Sequence, residues 1–277
     1  EINFFINNAI KEDLNSIDHS SKASLSKNDK GKAVLIVKEN CVIAGLELAE
    51  IIYKKYDSKI NFRYLVNDGD KINAGTKGFI VEGNSLSILA MERLVLNCIQ
   101  RMSGIASLTS RYKKIISKTS CKLLDTRKTT PNFRYPEKWA VLIGGGNNHR
   151  MGLYDALMIK DNHIDFGGGV NLVLEKTKRY LSGLGKEYDL IVETRNLKEV
   201  KDVLNYNIVT RILLDNMDIN EIKKALSLIG NKKPTEASGN IDKSNILAIA
   251  KTGVNFISLG CLTHSAKPID ISLKVSK

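Results

Sequence analysis

After Ser120 the sequence alternates between short apolar runs and helical stretches at a nearly constant interval. With Glu193, Asp215, Ser238 and Gly260 taken as strand ends, successive ends are 22, 23 and 22 residues apart, the length of one short strand plus one helix. Equal intervals of this kind predict repeated βα units around a parallel sheet. They favour a barrel, in which the carboxyl ends of the strands converge on one mouth, so the polar residues at these ends should meet there.

The first part of the chain has a different pattern. Residues 1–110 combine short strand candidates with glycine-containing turns, which predicts a compact α/β region. Between Leu86 and Tyr112 apolar residues recur at helical spacing. This spacing predicts a long helix that links two domains and is interrupted near Ser103 and Gly104.

Composition excludes several classes of protein. The 277 residues are 43% hydrophobic, which is enough for a sizeable core and argues against disorder. No run is long enough to span a membrane, and the first twenty residues lack the features of a secretory signal, so we expect a soluble, cytoplasmic protein that does not bind membranes. The four cysteines contain no C-x-x-C pair, which predicts buried free thiols. A dinucleotide fingerprint and a P-loop are both absent from the sequence, so a dehydrogenase or an NTPase has no support.

The formal net charge of +12 indicates anionic partners. Aromatic residues make up only 6% of the chain and the lysines are scattered, so the nucleic-acid-binding protein that this charge would suit is the weaker alternative. The densest cationic cluster lies between Asp125 and His163, beside turn formers and short apolar stretches. It predicts a site for a small polyanionic ligand, with a solvated basic loop as the alternative. Its main members are Arg127, Lys128, Arg134, Lys138, His149, Arg150, Lys160 and His163.

The predicted strand ends carry three kinds of chemistry. Arginine suits planar carboxylates and lysine suits phosphates. Glu193 and Asp215 could accept hydrogen bonds from ribose hydroxyls, hold a divalent cation or stabilise a developing carbocation. Ser238, Gly239 and Gly260 stand at turns whose backbone N–H groups could face a phosphate. Together these features predict a phosphorylated sugar and a carboxylated acceptor as ligands. Each also has a plainer reading: the strand-end carboxylates as helix caps, the glycine triplet as a turn, and the histidine of KDNH as a structural side chain.

Ten sequence blocks, in order along nearly the whole chain, resemble the quinolinate phosphoribosyltransferase family of type II phosphoribosyltransferases. These blocks are AIKEDL, VIAGLELAE, MERLVLNCIQRMSGIAS, DTRKTTPNFR, EKWAVLIGGGNNHRMGL, ALMIKDNHI, IVETRNLKE, ILLDNM, EASGNI and ISLGCLTHS. The resemblance implies an α/β fold with an N-terminal α/β sandwich domain, residues 1–110 joined by the tail 266–277, and an incomplete, open α/β barrel, residues 111–265. It also implies a homodimer in which one subunit's N-terminal domain covers its partner's barrel mouth.

The resemblance further implies a reaction. Members of the family transfer phosphoribose from phosphoribosyl pyrophosphate to the ring nitrogen of quinolinate and release the 2-carboxylate as carbon dioxide. The products are nicotinate mononucleotide, a precursor in de novo NAD biosynthesis, and pyrophosphate. We expect magnesium to accompany the sugar substrate, and we expect neither an organic cofactor nor a Schiff base.

Site residues follow from the matching motifs, as what the resemblance implies. The two carboxylates of quinolinate would be held by Arg127, His149, Arg150 and, from the neighbouring subunit, Arg93. The catalytic residues would be Lys128 and Lys160, which neutralise pyrophosphate and phosphate charge, and Glu193 and Asp215, which contact the ribose hydroxyls and magnesium. The 5′-phosphate would be seated by Ser238, Gly239, Gly260 and His264.

Some positions depart from the usual family pattern. Asn132 and Phe133 replace a common Gly-Leu, and Leu142 and Ile143 stand where Arg-Cys is frequent. Ile191 replaces the first glutamate of an E-V-E motif, which leaves one carboxylate on that strand.

A relative that uses another acceptor is the closest alternative. Nicotinate itself would be one such acceptor, and the homologue associated with molybdate-transport genes would be one such relative. The four residues matched to the acceptor's carboxylates are all retained, which favours an acceptor with two carboxylates.

Overall fold

The computed structural model describes residues 2–276 and divides into two compact units. The first unit contains the described residues of Glu1–Arg111, Lys128–Gly145 and Cys261–Lys277, and the second contains Tyr112–Arg127 and Gly146–Gly260. In chain order the elements are α1 (Ile2–Leu14), α2 (His19–Ser24), β1 (Lys30–Val37), β2 (Cys41–Val42), α3 (Leu46–Tyr56), β3 (Asn61–Tyr64), β4 (Lys71–Ile72), β5 (Lys77–Asn84), α4 (Ser85–Ile115), β6 (Lys122–Leu124), α5 (Arg134–Ile143), β7 (Leu157–Ile159), α6 (Asp161–Gly167), α7 (Val170–Gly183), β8 (Leu190–Thr194), α8 (Leu197–Leu204), β9 (Arg211–Asp215), α9 (Ile219–Ile229), β10 (Thr235–Ser238), α10 (Ile246–Ala250), β11 (Phe256–Ser258), α11 (Cys261–His264) and β12 (Ile271–Val275).

The first unit is built on an antiparallel sheet in the order β12-β1-β5-β3, with a small second sheet of β2 and β4. The last strand of the chain, β12, pairs with the first, β1, so the sheet joins the two ends of the sequence. Helix α3 buries Leu48, Ala49 and Ile52 at helical spacing. Full burial of a leucine or isoleucine side chain contributes roughly 1.5–3 kcal/mol.

The boundaries of this unit differ from the predicted domains at residues 128–145 and 261–265, which the sequence assigned to the barrel. The contacts of α5 explain the difference. Glu137 is fully buried and accepts hydrogen bonds from Arg101 of α4 at 3.0 Å and from the Thr130 hydroxyl at 2.8 Å. In the 261–265 segment, the Thr263 hydroxyl donates to the Lys128 carbonyl at 2.8 Å.

Helix α4 contradicts the predicted interruption, because it runs unbroken over 31 residues. Gly104 does not interrupt the helix but allows another segment to pack closely against it. A Cβ there would lie 2.1 Å from the Lys267 carbonyl oxygen, so only glycine lets that backbone approach. The neighbouring Ser103 hydroxyl accepts the N–H of Ala44 at 3.0 Å. Small residues in this helix therefore mark close contacts with other segments of the same unit.

The second unit has a six-stranded parallel sheet in the order β6-β11-β10-β9-β8-β7. Each strand from β7 to β11 lies beside the next one in sequence, and β11 pairs with β6. The cyclic order of a barrel is thus complete except between β6 and β7. Asn147 forms an isolated bridge with Leu124 of β6. This arrangement confirms the predicted fold class, an α/β protein with an open barrel.

The predicted strand ends also agree with the structure. Glu193 lies one residue before the end of β8, Asp215 ends β9, Ser238 ends β10 and Gly260 follows β11 by two residues. The start of helix α9 shows how a strand is followed by a helix in these repeats. Its N-terminus is capped by Asp218, which accepts the N–H groups of Asn220 and Glu221 at 2.7 and 2.8 Å, and such caps contribute about 1 kcal/mol.

Two further predictions concern the whole chain. No helix within residues 2–276 has the length and apolar character needed to cross a membrane. Cys41, Cys98 and Cys121 are buried free thiols, as predicted, whereas Cys261 is partly exposed.

Candidate active site

A pair of carboxylates lies at the ends of two adjacent strands of the second unit. Burial and then the negative charge of Asp215 raise the pKa of Glu193, while Lys160, whose Nζ is 3.8 Å from a Glu193 oxygen, opposes the rise. Asp215 accepts a hydrogen bond from the side-chain amide of Asn216 at 2.6 Å. Two adjacent carboxylates of this kind suit a ligand that brings hydroxyl donors or a cation.

The carboxylate oxygens of this pair are ligands of the kind that magnesium prefers. Within residues 2–276 no group of three or more His, Cys, Asp or Glu could hold a metal ion by itself. Magnesium is commonly bound by one or two carboxylates together with substrate phosphates and water. Burial and then the charge of Asp215 raise the pKa of Glu193, and the two carboxylates together fit an ion that arrives with a phosphorylated substrate.

The loops after β9 and β10 pack tightly against each other. Gly239 has a φ of +87°, and a Cβ there would lie 2.3 Å from the side-chain oxygen of Asn216. The N–H of Asn216 donates to the Ser238 carbonyl at 2.9 Å, and the Asn240 amide donates to the Asn216 side-chain oxygen at 3.0 Å. Both asparagines have positive φ, at 54° and 51°, which asparagine tolerates better than most residues. The Ser238-Gly239 turn is thus held rigidly at a strand end, as a phosphate-binding turn requires. Sequence reasoning missed both asparagines, although an asparagine directly after a strand end is a signal for such a turn.

Two arginines of the same unit lie close enough for their charges to repel each other. Burial and then the charge of Arg127 lower the pKa of Arg150. The Nε of Arg127 is buried and makes no hydrogen bond to any described residue. Arg150 donates from Nη1 to the Ala156 carbonyl at 3.0 Å. Two neighbouring guanidinium groups with donors to spare suit a planar anion with more than one carboxylate.

His149 lies beside this pair and is largely buried, with its side chain 6% exposed. Its backbone N–H donates to Asp125 at 2.7 Å, and its Nδ1 accepts the N–H of Arg150 at 2.8 Å. Its Nε2 faces Oε1 of Glu236 at 3.4 Å. Both ring nitrogens are therefore directed at protein groups.

Glu236 was missed by the sequence reasoning. It is a fully buried carboxylate in the middle of β10, and Arg211 donates to it at 2.9 Å. Burial acts to raise the pKa of Glu236, but His149, Ser258 and Arg211 outweigh it and hold the pKa below its ordinary value. The available signal was a lone acidic residue inside a predicted strand, which a core tolerates only with partners.

Other members of the basic cluster take different positions. Lys138 is 1% exposed, so it is a buried member of the cluster. His163 accepts the N–H of Lys160 at its Nδ1, 2.9 Å away, and closes the first turn of α6. This contact supports the structural reading of that histidine.

Three predicted site residues belong to the first unit. Arg93 is exposed on α4. Lys128 is exposed, with its carbonyl bonded to Thr263, and the ring Nδ1 of the exposed His264 lies 2.6 Å from the Ser265 hydroxyl.

Comparison with known proteins identifies the family. The model of the quinolinate phosphoribosyl transferase C-terminal domain matches residues 105–274, and the model of the N-terminal domain of the same family matches residues 18–103. The chain belongs to the quinolinate phosphoribosyltransferase family. A mitochondrial quinolinate phosphoribosyltransferase (decarboxylating), 2b of Nicotiana tabacum, is 44% identical and covers 96% of this chain and 80% of its own length.

Solved structures agree with the family assignment. NadC from Streptococcus pyogenes is 36% identical with a TM-score of 0.91, and the match covers 100% of this chain and 97% of that one. The nicotinate-nucleotide pyrophosphorylase from Francisella tularensis is 38% identical with a TM-score of 0.90, covering 99% and 96%.

The structure accommodates two departures from the usual pattern of the quinolinate phosphoribosyltransferase family. Asn132, in place of glycine, has a φ of 61°, a conformation that asparagine adopts more readily than most residues. Ile191, in place of glutamate, is 3% exposed and lies two residues before Glu193 on the same face of β8. An apolar side chain fills this site, so Glu193 is the carboxylate that β8 offers.

Proposed function

We propose that this protein transfers phosphoribose from phosphoribosyl pyrophosphate to quinolinate with loss of carbon dioxide. The products are nicotinate mononucleotide and pyrophosphate, which places the reaction in de novo NAD biosynthesis. The observation that carries the proposal is the paired guanidinium groups of Arg127 and Arg150, in the same barrel unit as the carboxylates and the Ser238-Gly239 turn. Arg127, the two carboxylates and the Ser238-Gly239 turn lie near the carboxyl ends of parallel strands and so share one edge of the sheet. Arg150 belongs with them through its proximity to Arg127.

The carboxylate pair supports cleavage of the bond between ribose and pyrophosphate. As pyrophosphate leaves with the bonding electrons, the ribose ring gains oxocarbenium character. Glu193 and Asp215 stabilise that positive charge because they act where it develops. Lys160, next to Glu193, balances the departing negative charge. Magnesium held by the same two carboxylates would neutralise charge on the pyrophosphate.

The arginine pair orients the acceptor. With one carboxylate of quinolinate bonded to each guanidinium group, the ring nitrogen would face the anomeric carbon of ribose. His149 belongs to the residues that the family motifs assign to these carboxylates. Once the new C–N bond forms, the ring nitrogen is positively charged. The bond to the 2-carboxylate then breaks, and the electron pair left on the ring carbon is stabilised by the adjacent cation before it takes up a proton. This chemistry requires no organic cofactor.

A homodimer would complete the site. Arg93 is exposed and has no ion pair in its own chain among the described residues. We assign it to the acceptor site of a neighbouring subunit, where a third cation would balance the second carboxylate. For Lys128 and His264, contacts with pyrophosphate and with the 5′-phosphate stay predictions from the family motifs. The cytoplasmic location also stays a prediction.

The test compares two acceptors. Purified protein is incubated with phosphoribosyl pyrophosphate, magnesium and either quinolinate or nicotinate, and both carbon dioxide and nicotinate mononucleotide are measured. We expect equimolar carbon dioxide and mononucleotide from quinolinate, and a much slower reaction with nicotinate. Preference for nicotinate, or mononucleotide without carbon dioxide, would refute the proposal. A gel shift at physiological salt addresses the nucleic-acid alternative, for which we expect only weak, non-specific binding.

A further inference from the structure

Glu236 stands apart from the other carboxylates of the barrel unit because it is completely buried and no role in the proposed reaction reaches it. One of its oxygens, Oε2, accepts a hydrogen bond from Arg211 at 2.9 Å. The other, Oε1, faces Nε2 of His149 at 3.4 Å, and neither of these two atoms makes a regular hydrogen bond to any other residue in the range 2–276. A buried carboxylate is costly without partners, so this position requires a reason.

The contacts of His149 supply that reason. The ring is held by a hydrogen bond at Nδ1 and lies beside Glu236 at Nε2, and its own backbone is anchored by Asp125. Since Nδ1 accepts the N–H of Arg150 at 2.8 Å, Nδ1 carries no proton, and the proton of the neutral ring is on Nε2. Nε2 lies 3.4 Å from Oε1 of Glu236, so this proton is on the side of the ring nearest the carboxylate. The buried carboxylate thus selects the tautomer that leaves Nδ1 free to hold the backbone of Arg150.

We propose that Glu236 is a positioning residue for the acceptor site, acting through His149 on Arg150. The inference rests on the proposed function, because it assigns Arg150 to a carboxylate of the acceptor. With the carboxylate in place, the imidazole is locked, the N–H of Arg150 is held and its guanidinium group stays beside that of Arg127. Without it, the ring loses its anchor at Nε2 and the guanidinium pair loses its fixed geometry.

A purely structural role is the competing explanation. Arg211 and Glu236 form an ion pair, and Arg211 also lies over the ring of Phe256 at 4.2 Å. Loss of this pair would lower stability whichever role Glu236 has. The two explanations differ in which substrate is affected, because only the positioning role singles out the acceptor.

The test measures quinolinate binding by calorimetry together with the KM for each substrate. For Glu236→Gln we expect the Kd and KM for quinolinate to rise by about tenfold or more, since small misplacements of binding groups have effects of this order. The KM for phosphoribosyl pyrophosphate should stay within about twofold. Arg211→Gln is the matched control: it weakens the same ion pair from the other side, so it should lower the thermal midpoint while quinolinate binding is retained. Equal effects on both substrates, or an equal effect of Arg211→Gln on quinolinate, would overturn the inference.

A double-mutant cycle tests the route through His149. His149→Asn keeps an acceptor near the position of Nδ1 but has no group at Nε2, so it should weaken quinolinate binding as Glu236→Gln does. If Glu236 acts through the imidazole, the double variant should bind quinolinate no more weakly than His149→Asn alone. Additive losses would contradict the inference. Should Glu236→Gln not fold, normal quinolinate binding by His149→Asn would contradict it equally.

Measurements on the wild-type protein distinguish failure of the proposed function from failure of the inference about Glu236. If it does not bind quinolinate at all, the proposed function fails. If it binds and converts quinolinate while Glu236→Gln has the same Kd, the proposed function stands and the inference fails.

Discussion

Replacement of Gly239 by alanine tests whether the loops after β9 and β10 form a rigid phosphate-binding turn. The positive φ of 87° costs an alanine about 1 kcal/mol. The new Cβ would lie 2.3 Å from the side-chain oxygen of Asn216 and 2.9 Å from its backbone nitrogen, so rotation of the asparagine side chain alone cannot relieve the clash. Overpacking of this kind costs about 1–3 kcal/mol. We therefore expect the free energy of unfolding to fall by about 2–4 kcal/mol, measured by urea denaturation.

The functional consequence should be selective. Movement of Asn216 breaks its contact with Asp215 and displaces the Ser238-Gly239 turn. Loss of one charge-assisted hydrogen bond to phosphate costs about 1.5–3 kcal/mol, or roughly tenfold to a hundredfold in the KM for phosphoribosyl pyrophosphate. The quinolinate Kd, measured without the sugar substrate, should not change.

Gly253→Ala provides the matched control. Gly253 is in the same unit and has a φ of 96°, but nothing lies within 4 Å of a Cβ placed there. It should show the backbone cost of about 1 kcal/mol with normal kinetics. If both variants lose the same stability and neither changes the KM for phosphoribosyl pyrophosphate, the close approach at Gly239 has no function and the reasoning is refuted.

Three other predictions concern the charged groups of the site. Arg127→Lys keeps the charge but not the planar donors, so kcat/KM for quinolinate should fall about tenfold to a hundredfold in steady-state assays. The control, Arg179→Lys at an exposed position on α7, should leave kcat/KM unchanged. The raised pKa of Glu193 means that the native state keeps this proton to higher pH than the unfolded state does. The free energy of unfolding of the wild type, measured by urea titration, should therefore fall relative to that of Glu193→Gln as pH rises from 4.5 through the raised pKa. Parallel pH profiles of the two proteins would contradict this. Co-expression of Arg93→Ala and Arg127→Ala chains should restore about a quarter of wild-type sites, since about half of the dimers are mixed and each mixed dimer has one intact site. Activity no higher than in either variant alone would show that the two arginines serve the same subunit's site.

Regular spacing made much of the barrel predictable from the sequence. Strand ends at Glu193, Asp215 and Ser238 follow from the repeated length of one strand and one helix, because that length is set by local geometry. The carboxyl-end rule for parallel sheets then brings these residues to one edge without any knowledge of tertiary contacts. The structural reading of His163 was also available locally, since its partner, the N–H of Lys160, is three residues away.

Features that depend on distant contacts were not predictable in this way. The glycine at 104 looks like a helix breaker until the Lys267 carbonyl, far along the chain, is placed against it. The segment around Glu137 joins the first unit through Arg101, and the spacing of apolar residues in the sequence gives no sign of such an ion pair. Glu236 was missed for the same reason, because its partners His149 and Arg211 are 87 and 25 residues away in the sequence.

The pairing of β1 with β12 has a consequence for synthesis of the protein. A ribosome makes β12 long after β1, so one edge of the first sheet has no partner until β12 emerges. By then the entire second unit has been made, and it can fold while the first is still incomplete. During this interval β1 offers its backbone N–H and carbonyl groups to any other extended chain. Nascent chains, and products truncated before Ile271, should therefore be the forms of this protein that depend most on chaperones.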